Sequence, residues 1–287
     1  MKHTAIVALV VICSTFFSTP AGMAEASKVP DVGPLGDDAF VLELDALCGV
    51  GKKLAQGCQA IREREIVDAS MPPWRAIGRV NFASTEVRQH CTGTLLSERI
   101  VLTASHCLYN FPRKSWIPAQ SIRFVAGYQR GAGEAVSEVA RYIVDPVQNI
   151  HSRDFRSNFS QDWALLVLKD PIGRETGFLT PHSMDTRELE DTSFLLAGYA
   201  ALRPHVLSVA GDCGAPENSV DHRLIFQKCS VMHGDSGAPV LAHIDGEEKV
   251  IGVFSGTVSN QSEFLSISIP ISNLGTALRL ELNWESR

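Results

Sequence analysis

"VLTASHCL", residues 101–108, changes character in its middle. Val101, Leu102 and Thr103 continue an apolar run that starts at Ile100, the texture of a strand with little exposed surface. Ala104 and Ser105 then break the run with small residues, and His106 is the titratable side chain beside the break. A second stretch of this kind, "HGDSGAP" at 233–239, lies about half the chain away and sets Ser236 beside a tight turn before the apolar "PVLAHI". Both stretches place one reactive side chain at the end of a strand-like run.

A serine hydroxyl hardly ionises at neutral pH. It reacts only when a base takes its proton, and the base needs a carboxylate to fix its tautomer and stabilise the cation that forms. His106 and Ser236 are candidates for the first two parts. For the carboxylate, "FSQDWALLVL" sets Asp162 before Trp163 and a purely apolar run, which suits a preorganised acid; Asp145 in "VDPVQ" competes, but its proline makes it a turn residue. In "HGDSGAP", Gly234 has no side chain to keep its N–H from a developing oxyanion, the Ser236 N–H supplies a second donor, and Gly237 lets the turn close.

The surrounding texture is all-β. Short alternating or apolar runs recur from residue 74 to 170 and again from 191 to 271, broken by turn residues. Asp245-Gly246 marks a hairpin tip. Leu274, Leu278 and Leu282 share one helical face after a cap at Ser272 or Asn273, so a helix is expected over about 271–284. The expectation is two packed six-stranded antiparallel β-barrels with a C-terminal helix, the first barrel over about 66–175 and the second over about 176–270.

The N-terminus has a different texture. A short basic start, the apolar run "TAIVALVVICSTFF" and small residues up to Ala24 read as a signal peptide over 1–24. Residues 25–65, rich in Pro, Gly and Asp and then in charge, read as a propeptide or extension, with Cys48 and Cys58 close enough for a local bridge. Seven cysteines become six once Cys13 leaves with the signal, an even number suited to disulfides in an exported chain. Adjacent His-Cys pairs such as His106-Cys107 point to opposite faces of a strand and rarely chelate together, so neither metal nor cofactor is expected. A net charge of −6 without a Lys/Arg stripe gives no reason to expect nucleic acid.

Together the motifs resemble the trypsin-like (chymotrypsin-fold) serine proteases, and His, Asp, Ser is that family's order. "LTASHC", "DWALLVL" and "GDSGAP" are similar to its three catalytic segments, and "PPWRAIGRV" (72–80) to the first strand of its mature enzymes, over a match spanning about 66–284. The resemblance implies His106 as general base, Asp162 as its orienter and Ser236 as nucleophile, with Gly234 and Ser236 as the oxyanion hole. It also implies a Cys91–Cys107 bridge closing the histidine loop. Met232 stands where higher-animal trypsins have a cysteine, while Cys229, with Cys213 as its expected partner, resembles bacterial members near the glutamyl-endopeptidase-like group. Ser230 falls where trypsin has its pocket-base aspartate, which argues against strict Arg/Lys cleavage. Phe254 stands in the strand where the glutamyl group carries histidine, which argues against Glu; Ser255 and Thr257 complete the expected pocket. In the family, an aspartate just before the serine binds the new N-terminal ammonium after activation. Here "REREIVDAS" offers Ile66-Val67 and Asp235 for a zymogen of that kind; the alternative is that Asp235 bonds nearby backbone.

The implied protein is a secreted or periplasmic serine endopeptidase, monomeric, taking protein or peptide substrates, off the membrane once the signal is removed. The alternatives are a catalytically silent binding module on the same scaffold, and an esterase, which would more often show Gly-x-Ser-x-Gly on a strand-turn-helix.

Overall fold

The computed structural model describes residues 42–43, 55–83, 88–148, 159–184, 192–211, 213–219, 221–259 and 264–282. The expected signal peptide lies outside the described residues, as does Cys48 of the expected Cys48–Cys58 bridge.

The first half closes into a six-stranded antiparallel barrel in the order Ala164–Leu168, Ile100–Thr103, Arg88–Leu95, Ile77–Ala83, Ile122–Ala126 and Ala135–Val144, the last pairing back onto the first. The alternation of the sequence decides which side chains fill it. Ile122, Phe124 and Ala126 are buried while Arg123 and Val125 between them are only partly so, the period-two pattern of a pleated strand. Ala164 pairs with Thr103 and Ile77 with Thr94, so the runs preceding His106 and following Asp162 are neighbours in one wall.

The second half forms a nine-stranded antiparallel sheet, and among the described residues it is not closed into the expected second barrel. The strands run Glu217–Asn218, Ile225–Gln227, Phe264–Pro270, Glu247–Ser259, Pro239–Ile244, Phe194–Gly198, Ser208–Ala210 and Glu65–Ile66, with the backbone of Leu42–Glu43 laid against Val258 and Thr257. The two outermost strands are two residues each and do not pair with one another among the described residues. The Asp245-Gly246 tip falls as expected: Ile244 pairs with Glu247, and both turn residues have positive φ, 55° and 83°, as a two-residue hairpin with right-handed twist requires.

The C-terminal segment is a 3-10 turn over Ile271–Leu274 followed by an α-helix over Gly275–Leu282, which puts Ser272 and Asn273 inside the turn rather than at a cap. Leu274 and Leu278 are fully buried and Leu282 packs partly against the same core, the face their spacing predicts.

Packing also crosses the expected 65/66 boundary. Ala55–Glu63 is an α-helix, and its Ile61 is fully buried against Ala200 and Met232. Glu65 and Ile66 then pair with Val209 and Ser208. No helix among the described residues is long and apolar enough to cross a membrane.

Candidate active site

His106 sits in a 3-10 turn, Ser105–Leu108, that follows directly on the Ile100–Thr103 strand. Asp162 stands at the end of another such turn, Phe159–Gln161, just before the Ala164–Leu168 strand. Because these two strands are paired, the turns at their ends meet. His106 Nδ1 lies 2.6 Å from Asp162 Oδ2, and both side chains are buried. The His106 backbone N–H and the Ser105 hydroxyl both donate to Asp162 Oδ1 at 2.8 Å, and the Ser255 hydroxyl donates to Oδ2.

Burial works to raise the Asp162 carboxyl. The facing His106 and the hydrogen bonds from His106 and Ser255 outweigh it, leaving the carboxyl below its usual range. An ionised Asp162 keeps the Nδ1–H tautomer of His106 in place and leaves Nε2 to accept a proton.

The loop that carries Ser236 packs against the histidine turn. The Ser236 carbonyl accepts the Thr92 N–H at 2.9 Å and lies 3.8 Å from Cys107 Sγ, the residue after His106. The Cys91–Cys107 bridge ties the histidine turn to the strand that carries Thr92, and the Cys213–Cys229 bridge is formed as well. Both cysteines beside His106 are therefore committed to a disulfide.

The turn around Ser236 depends on two glycines. Gly234 has φ of 95°, and a Cβ there would stand 2.4 Å from the Tyr199 carbonyl oxygen and 2.8 Å from His90 Nε2. Gly237 has φ of 82°, and a Cβ would meet Thr103 Oγ1 at 2.2 Å. The Gly234 carbonyl is turned away to accept the Thr92 hydroxyl at 2.9 Å. Among the described residues neither the Gly234 nor the Ser236 backbone N–H has an intramolecular acceptor. Two such donors flanking a serine hydroxyl suit an oxyanion.

The expected pocket residues do not all turn outward. Phe254 is buried in the core of the second sheet with Val231, Ala238 and Ile251. Ser255 serves Asp162. Thr257 is buried, and Ser230 is half-buried with its carbonyl accepting the Arg64 guanidinium. Asp145, the competing acid, instead accepts the indole N–H of Trp163 at 3.2 Å.

Asp235, fully buried, is paired with Arg64. Ile66 is 47% exposed and stays in its strand pairing with Ser208. Sequence reading missed Arg64. The one signal that could have raised it is its place in "REREIV", immediately before the Ile66-Val67 pair.

Known proteins resemble the chain in sequence and in fold. The chain is similar to Serine protease 23 of Rattus norvegicus, 29% identical over 201 residues, covering 60% of this chain and 50% of the relative. It is equally similar to Serine protease 23 of Homo sapiens, 29% identical over 202 residues with the same shares. The chain thus spans about half the length of these curated relatives. Among solved structures, a Glu endopeptidase in complex with MPD superposes with a TM-score of 0.59 at 18% identity, over 75% of this chain and 95% of that one. The protease Anisep from Arthrobacter nicotinovorans gives 0.55 at 21%, over 72% and 97%. The profile of the family described as Trypsin matches residues 64–277, which include every residue of the buried hydrogen-bonded site, and the chain therefore belongs to the trypsin family.

Proposed function

We propose that the chain is a secreted serine endopeptidase that hydrolyses peptide bonds through an acyl-enzyme, with Ser236 as nucleophile, His106 as general base and Asp162 as orienter. The observation that carries this reading is the 2.6 Å contact between His106 Nδ1 and a carboxylate that three further donors hold in place. As Ser236 attacks the scissile carbonyl, its proton passes to His106 Nε2. Asp162 stabilises the imidazolium that results. The carbonyl oxygen takes up negative charge against the Gly234 and Ser236 N–H groups. The imidazolium then returns its proton to the leaving amine, and water releases the acyl group by the same path.

The substrate is a protein or peptide. None of the expected pocket residues Ser230, Phe254, Ser255 and Thr257 carries a charge, which favours a neutral residue at the cleaved bond over Arg, Lys or Glu. Export agrees with the two disulfides, and the exported form is read as a monomer.

A fluorophosphonate probe tests the reading. The secreted protein should be labelled at Ser236, and Ser236→Ala should lose labelling and casein hydrolysis together. Undiminished hydrolysis by that variant would remove Ser236 from its role; no labelling and no hydrolysis by the unmodified protein would favour a silent binding module. A peptide-library cleavage profile reads the pocket directly.

A further inference from the structure

The loop that carries the oxyanion donors is held by a cation from outside the barrel and sheet core. We propose that Arg64 is a positioning residue for the reaction: in the uncut chain its guanidinium sets the Gly234-Asp235-Ser236 turn, so that the oxyanion donors are in place without cleavage before Ile66. This rests on the reading of Ser236 as nucleophile.

The geometry is that of a built lock. Arg64 Nη1 donates to Asp235 Oδ1 at 3.0 Å and Nη2 to Oδ2 at 2.8 Å, a bidentate pair, while Nε donates to the Ser230 carbonyl at 2.9 Å. The two side chains are 2% and 0% exposed. A carboxylate that deep in the protein needs a permanent partner, and leaving it alone would be strongly unfavourable. Asp235 Oδ2 also accepts the Met232 N–H at 2.9 Å, so the side chain under Arg64 folds the loop over itself. From the opposite wall, a Cβ on Gly198 would stand 2.4 Å from Asp235 Oδ1, so the carboxylate packs directly against the Gly198 backbone. Asp235 lies between the two residues whose N–H groups face the reaction. Fixing its side chain fixes the peptide planes on both sides.

Arg64 is itself held. The Ala55–Glu63 helix before it is anchored by Ile61, its own carbonyl accepts Arg203 Nη1 at 2.9 Å, and Glu65–Ile66 after it is paired into the sheet. An Ile66 ammonium could reach Asp235 only if that pairing broke and Arg64 withdrew. Cleavage before Ile66 would cut the lock from the strand that holds it.

The test uses the secreted chain, with the 64–66 segment verified intact by mass spectrometry. The readouts are the rate of fluorophosphonate labelling and the hydrolysis of a p-nitrophenyl ester. These small reagents engage Ser236 and the oxyanion donors without needing a strand beside Thr257, where residues 42–43 pair. The uncut chain should react at a rate that cleavage before Ile66 does not raise. Arg64→Met should lower kcat about 100-fold with little change in KM, and Arg64→Lys should recover part of the loss. Because Arg64→Met leaves a buried charge and could unfold the protein, the double variant Arg64→Met/Asp235→Asn is measured beside it. A folded double variant that remains slow supports the lock, and one with undiminished kcat overturns it. An uncut chain that is inert but becomes active on cleavage before Ile66 also overturns the proposal, in favour of an ammonium on Asp235. Labelling at a residue other than Ser236 would instead overturn the nucleophile reading, a separate result.

Discussion

Gly234 tolerates no side chain for two separate reasons: its φ of 95° is disfavoured for any other residue, and the space a Cβ needs is filled by the Tyr199 carbonyl and His90. Gly234→Ala should therefore move the N–H away from the reaction and lower kcat by 10²–10³-fold, about the effect of losing one oxyanion donor. A melting temperature measured on the same sample separates lost folding from lost chemistry, and full activity in the alanine variant would deny this N–H its role. Residue-scale reading from sequence worked where a motif carries its own local requirement. Glycines beside a serine announce a tight turn, and an acid before an apolar strand announces burial. It failed where a partner is remote. Nothing in "GDSG" says that Asp235 meets Arg64, 171 positions earlier, and nothing in "GVFSGTV" says that Ser255 turns to Asp162 while Phe254 turns into the core.

At the scale of elements, the Ala55–Glu63 helix matters more than its composition suggests. Its sequence, AQGCQAIRE, contains a glycine and little that is apolar, and it reads as part of an extension. Ile61 fastens it, fully buried against Ala200 and Met232 beside the oxyanion loop. Ile61→Ala should cost about 2–5 kcal/mol of local or global stability. The measurement is limited proteolysis: residues 55–66 should become cleavable well before the barrel does, and an unchanged digestion pattern would show that the helix is held by other contacts. The barrel strands, by contrast, were legible because alternation is a local property of the chain. Closure of the second sheet was not, because it depends on whether distant edge strands are long enough to pair.

The acid stability of the whole molecule has an identifiable contributor. Burial first, and then the Arg79 charge, push His90 down from 6.5 to about 4, so the folded protein keeps this imidazole neutral where the unfolded chain protonates it. The contribution is fully present above pH 6.5 and is lost as pH falls toward 4, amounting to about 3 kcal/mol at most. Urea melts at pH 7 and pH 4.5 should show a steeper loss for the natural protein than for His90→Gln. Equal slopes would mean that His90 titrates alike in both states.

The sequence alone determined the β-rich class, the two bridges that the family resemblance implied and the C-terminal helix, and it singled out the three side chains of the proposed site. Each is written in short-range patterns: period-two alternation, glycines round a serine, leucines four apart, cysteine spacing. Only the tertiary structure decided that the second sheet is not closed among the described residues, that Phe254 packs into the core while Ser255 donates to Asp162, and that Asp235 is paired with Arg64. Those outcomes depend on which surfaces from distant parts of the chain come together. A buried charge takes whichever opposite charge the fold brings within reach, and no local pattern records that choice.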